Sequence, residues 1–136
     1  MFKVNKKLEY ALMALKHMKE KESDELTSVK ELCEEYRMPF DVMSKVMQKM
    51  VAGKLLSSEQ GARGGYKVIS DLSGVTILDL YETVMDADGK INCLNESGSG
   101  CALSCSCNIK SPMNNLNNRL RAFYKSINID SLLTSK

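Results

Sequence analysis

The sequence predicts a mostly α-helical fold carrying one small β wing. Apolar residues recur at helical spacing in five stretches, and two short β-prone runs flank a Gly-rich turn. With 43% apolar and 26% charged residues, the 136-residue chain can bury one core and is not a disordered tail. No apolar run approaches the roughly 18–20 residues of a membrane span. The start, Met1-Phe2-Lys3-Val4-Asn5-Lys6-Lys7, has no apolar stretch behind its charges, so no targeting segment is expected. These features predict a soluble cytoplasmic domain that does not engage a membrane, and the length excludes a large multidomain enzyme.

Leu8, Ala11, Leu12, Ala14, Leu15 and Met18 predict an amphipathic helix over about 5–20. The charged stretch Lys19–Glu25 follows as a loop. Thr27-Ser28 can cap a second helix, Val29–Tyr36, with Val29, Leu32 and Cys33 on one face. Free cysteine is commonly buried, so Cys33 is expected in the core. Pro39 suits the first turn of a third helix over 39–52, whose apolar set is Val42, Met43, Val46, Met47 and Met50.

Leu55–Glu59 and Tyr66–Ile69 flank Gln60-Gly61-Ala62-Arg63-Gly64-Gly65, which predicts a hairpin. These glycines lack the Gly-Lys-Ser/Thr ending of a phosphate loop, so a nucleotide site is excluded. Thr76–Met85 predicts another helix and Asp86–Ser106 an irregular, cysteine-bearing loop. Ser111-Pro112 opens a long helix to about Ile127, with Met113, Leu116, Leu120, Phe123, Tyr124 and Ile127 as its apolar stripe. Such a stripe at the end of a small domain suggests a partner subunit. Asp130–Leu133 adds a final turn.

Two helices, a Pro-initiated third helix and a Gly-turned hairpin make a winged helix-turn-helix, whose recognition helix enters the DNA major groove. Ser44, Lys45 and Gln48 on the polar face of 39–52 can reach base edges or phosphates. Arg63 at the wing tip can enter the minor groove or bind phosphate. The candidate DNA-binding set is Pro39, Asp41, Ser44, Lys45, Gln48, Lys49, Gln60, Arg63, Gly64 and Tyr66. Net charge is +2, and residues 1–70 hold 13 basic against 10 acidic side chains, which fits a polyanionic partner or a solvated surface. Residues 1–72 are expected to form the DNA-binding domain. Residues 73–136 would supply a helix, a cysteine-rich loop at about 90–108 and a dimerisation helix.

Four of the five cysteines, Cys93, Cys101, Cys105 and Cys107, fall within fifteen residues. Without an export signal, clustered cysteines read as metal-binding or redox-active. A structural zinc site normally shows two Cys-x2–4-Cys knuckles, and only Cys101-x3-Cys105 qualifies. An iron–sulfur cluster, a thiol–disulfide switch and zinc remain the alternatives. The chain has one histidine, His17, no Cys-x-x-Cys motif and no nucleotide fingerprint, so it is not expected to be an enzyme.

Met38-Pro39-Phe40, Met43-Ser44-Lys45 and the run from Leu55 through Gly64-Gly65-Tyr66 resemble the Rrf-two family of winged-helix transcriptional regulators, the IscR and NsrR type. Leu8-Glu9-Tyr10-Ala11-Leu12 and Thr76-Ile77-Leu78-Asp79-Leu80 fit as well, and the resemblance spans about 1–133. It implies a homodimer, a double-stranded DNA operator, repression, and an iron–sulfur cluster of [2Fe-2S] or [4Fe-4S] type. The family spacing implies Cys93, Cys101 and Cys107 as ligands, with Glu9 or Cys105 as the fourth. Two positions depart from the family pattern: Gln60 replaces an Arg before the first wing glycine, and Lys54 replaces a Gly before Leu55-Leu56.

Overall fold

The computed structural model describes residues 3–85, 102–103 and 105–135. Helix α1, Lys6–Glu20, starts where the Asn5 side chain accepts the Lys7 N–H at 2.9 Å. It ends inside the charged stretch expected to be loop. Helix α2, Val29–Tyr36, is capped by Ser28, whose hydroxyl accepts the Glu31 N–H at 3.0 Å. Arg37 then turns left-handed at φ 54°, Met38 is buried, and Pro39 opens α3, Phe40–Ala52. Helix α3 buries Met43, Val46, Met47 and Met50, while Val42 is half-buried at the margin.

The end of α3 explains the departure at Lys54. Lys54 N–H donates to Val51 O at 3.0 Å and Leu55 N–H to Met50 O at 2.9 Å. This bond pair closes a helix through one left-handed residue, usually glycine. Here that residue is Lys54, at φ 61°. The glycine one position earlier answers a different need. A Cβ on Gly53 would lie 2.7 Å from Thr83 Cγ2.

Strands β1, Leu56–Glu59, and β2, Gly65–Val68, pair antiparallel with Leu56 opposite Val68 and Glu59 opposite Gly65. Gly64 is forced by the turn, because a Cβ there would sit 2.3 Å from Glu59 O. A third segment, not anticipated, joins this ribbon: Thr27 N–H donates to Tyr66 O at 2.9 Å, and Tyr66 N–H to Thr27 O at 2.8 Å. The wing is thereby tied to the α1–α2 connection. A Cβ on Gly65 would press to 2.9 Å from Thr27 O, so this crossing also requires glycine.

A 3-10 turn, Leu72–Gly74, leads to α4, Ile77–Met85. Thr76 caps α4 reciprocally with Asp79: its N–H and hydroxyl reach the Asp79 carboxylate at 2.9 Å. Helix α5, Lys110–Lys125, and α6, Ile129–Thr134, complete the described chain. Ile77 N–H donates to Ile127 O and Ile129 N–H to Val75 O, each at 2.9 Å, so the start of α4 is clasped to the α5–α6 junction. Ile77, Leu80, Val84 and Ile129 join the same core as α1–α3. Among the described residues, no helix is long and apolar enough to cross a membrane.

Candidate nucleic-acid interface and cysteine segment

The buried side chains of α3 occupy one side of the helix, leaving an exposed arc of roughly 140°. Asp41, Lys45 and Gln48 are exposed on it and Ser44 is half-exposed, while Phe40 is exposed at the first turn beside it. Pro39, exposed, forms the N-cap and supplies no side-chain hydrogen bond. Gln60 and Arg63 are exposed at the wing turn, with Gly64 half-buried beside them. This combination of a polar helix face and a cationic tip suits phosphate contact plus base reading.

Two of the expected DNA-binding residues have internal roles. Lys49 lies at the edge of the arc, half-buried, and its Nζ donates to Val84 O at 3.3 Å. A cation placed on the last carbonyls of α4 is favoured by the helix dipole. Tyr66 is half-buried against the core, and its backbone makes the two bonds to Thr27. Sequence spacing could not separate Lys49 from Lys45, because only the packing of α4 on α3 distinguishes them. Phe40 was absent from the expected set; it continues the apolar spacing of Met43, Met47 and Met50 back to the helix start, where it is left exposed.

His17 joins α1 to α2. Its Nε2 lies 2.8 Å from Glu31 Oε1 and its Nδ1 2.8 Å from the Tyr36 hydroxyl. An ionised carboxylate only accepts, so Nε2 carries the proton toward Glu31, and in the neutral ring Nδ1 accepts from Tyr36. Lys21 also pairs with Glu31. Burial pushes the Glu31 carboxyl up, but hydrogen bonds and charge from Lys21 and His17 outweigh it and hold the group below its usual value. This cluster fixes the angle between the helices that support α3.

Of the cysteines, Cys93 and Cys101 lie outside the described residues. Cys105 is exposed, Cys107 half-buried, and both are free thiols. Cys33 is half-buried against the core rather than fully enclosed, and burial pushes its thiol up, as suits an inert packing residue. Glu9 faces outward and accepts from Lys6 Nζ at 2.8 Å. Among the described residues, no three His, Cys, Asp or Glu side chains converge on a metal-sized site.

Helix α5 buries none of its residues. Tyr124 packs edge-on against Tyr81 and Arg121 pairs with Glu82 at 2.7 Å, which anchors its C-terminal half to α4. The expected stripe therefore divides. Tyr124 and Ile127 pack against the core, whereas Leu116, Leu120 and Phe123 are 48%, 49% and 59% exposed.

The chain is 26% identical over 122 residues to the HTH-type transcriptional regulator NsrR of Oceanobacillus iheyensis, an alignment covering 90% of this chain and 81% of that one. The NsrR of Shouchella clausii is 22% identical over 102 residues, covering 75% and 68%. Among solved structures, CymR, the global cysteine regulator of B. subtilis, superposes with a TM-score of 0.69 at 16% identity, covering 98% of each chain. IscR of T. potens superposes with 0.67 at 17%, covering 97% and 86%. These likenesses show a shared winged-helix fold. The family model described as Rrf2, iron-dependent transcriptional regulator, matches residues 4–135, and the chain therefore belongs to the Rrf2 family of transcriptional regulators.

Proposed function

We propose that this regulator is a homodimeric repressor that reads a palindromic operator through α3 and the wing, and that its cysteine segment senses through an iron–sulfur cluster. The observation that carries the DNA reading is the exposed arc of α3, where Asp41, Ser44, Lys45 and Gln48 stand free of the core with Arg63 at the wing tip. Dimerisation rests on α5. Ile109, Met113, Leu116, Leu120 and Phe123 recur at alternating steps of four and three, the spacing of a helix–helix seam. Ile109 and the later three are all exposed large apolar side chains.

Four thiols within residues 93–107 form a donor set suited to an iron–sulfur cluster, and the two described ones are free. Cys93, Cys101 and Cys107 would hold it, with Cys105 or Glu9 as the fourth ligand. When bound, such a cluster supplies a site that nitric oxide or oxygen attacks. The rest is done by the chain itself. The segment leaves the end of α4, which abuts α3 through the Lys49–Val84 bond and the Gly53–Thr83 approach. Restraint of the segment therefore bears on the recognition helix and on the roughly 34–36 Å spacing that two half-sites demand.

A second reading is favoured by the free thiols Cys105 and Cys107: a cluster-free regulator in which a pair of cysteines is oxidised to a disulfide. Purification without oxygen, followed by a visible spectrum and iron and sulfide assays, separates the two. The cluster reading expects a brown protein that loses colour on Cys101→Ala. A colourless protein that resists reconstitution and loses thiols on oxidation would establish the second reading instead. Duplex binding at moderate salt tests the DNA reading. Lys45→Ala should weaken binding, and if Lys45 touches phosphate alone the salt slope falls by roughly one unit.

A further inference from the structure

Phe40 is the first residue of α3 and is 57% exposed. Every other large apolar side chain of α3 is directed to the core or its margin. Phe40 instead stays exposed because it lies at the first turn, beyond the edge of the core, with Ser44 beside it one turn further on. The N-terminal residues of a recognition helix are those that meet base edges. The major groove displays donors, acceptors and only one apolar group, the C5-methyl of thymine. An exposed aromatic ring at the N-terminal end of such a helix can be satisfied there by a methyl and by nothing else on the base edges.

We infer that Phe40 is a specificity-determining residue that packs on a thymine C5-methyl in each half-site of the operator. The inference rests on the DNA reading above and adds a base preference to it. Asp41 beside it can accept from a cytosine N4 amino group, and Gln48 can bond adenine, so α3 carries a mixed apolar and polar code.

The test starts with duplexes selected from a random library by the full-length protein, purified without oxygen. Affinities of the wild type and Phe40→Ala are then measured for the enriched duplex. The same duplex is also prepared with deoxyuridine replacing thymidine at each position in turn, which removes only the methyl. At one thymidine per half-site, deoxyuridine should weaken wild-type binding about fourfold, and about sixteenfold when both half-sites are changed. Phe40→Ala should still bind, more weakly, and should not distinguish thymidine from deoxyuridine there. Since Phe40 is exposed, its variant should keep the wild-type helicity and melting temperature. Wild-type indifference to the methyl at every thymidine overturns the inference, as does full methyl dependence in Phe40→Ala. Either result leaves the DNA reading standing, whereas failure to enrich any duplex overturns both.

Discussion

Gly53 offers a decisive perturbation because two known effects act on it with opposite sign. Its φ of −78° is open to any residue, so Gly53→Ala should restrict the unfolded chain and stabilise by about 0.4–1 kcal/mol. The new Cβ, however, would lie 2.7 Å from Thr83 Cγ2 and 3.3 Å from Thr83 Oγ1. Thr83 cannot turn away freely, because its hydroxyl donates to Asp79 O at 2.7 Å. Rotation forfeits that bond, worth about 1 kcal/mol, while keeping it forces α3 and α4 apart at an overpacking cost of about 1–3 kcal/mol. The contact should win. Gly53→Ala is expected to be less stable by about 0.5 kcal/mol, a fall in Tm of about 2 °C for a chain of this size. Thr83→Ser keeps the hydroxyl and removes the offending methyl, so in the Gly53→Ala background it should restore much of the loss. Urea unfolding of the four proteins in the double-mutant cycle measures the coupling. A Gly53→Ala variant as stable as the wild type, or a cycle with no coupling, would refute the claim that α4 presses on α3 here.

Three further outcomes follow from the geometry. Lys54 occupies left-handed backbone, so Lys54→Gly should relieve about 1 kcal/mol of strain, partly offset by glycine's entropy, and raise Tm by a few degrees; a lower Tm in a thermal melt would contradict it. Glu31 titrates below its ordinary 4.5, so its interactions with Lys21 and His17 support the fold fully above that value and are lost as pH falls through the lowered one. Wild type should therefore exceed Glu31→Gln in urea midpoint at pH 7, and the gap should close toward pH 3; a gap that widens with acid would reverse the assignment. Leu120→Glu on the exposed stripe should shift the protein to monomers in sedimentation equilibrium with its helicity intact, and a dimer that persists at micromolar concentration would place the interface elsewhere.

The helices were legible because their signals are local. Ser28 before Val29, Pro39 before Phe40, and the apolar periodicities of α1 and α3 each act within one or two turns. The Thr27 bridge was not legible, since one residue of strand has neither periodicity nor length. The inward turn of Lys49 and the pairing of His17 with Glu31 and Tyr36 depend on which helices become neighbours, which spacing along one helix does not encode. Lys54 shows a different limit. Glycine at 53 draws attention as the helix stop, yet the left-handed residue is the lysine after it, and Gly53 answers to Thr83 across the helix pair. The cysteine grouping was plain in the sequence, whereas its ligand set depended on family spacing.

The clasp between Thr76 and Asn128 has an evolutionary consequence. The start of α4 and the end of α5 meet at this one point. Tyr81–Tyr124 and Glu82–Arg121 also hold the two helices together. The ends of the segment between Met85 and Lys110 are therefore set by contacts outside it. Doubling the length of such a connection costs only about 0.6 kcal/mol in closure entropy. Insertions and deletions that respace the cysteines can accumulate with little penalty to folding. The cysteine segment can thus change length and spacing as a unit while the winged-helix half keeps its shape.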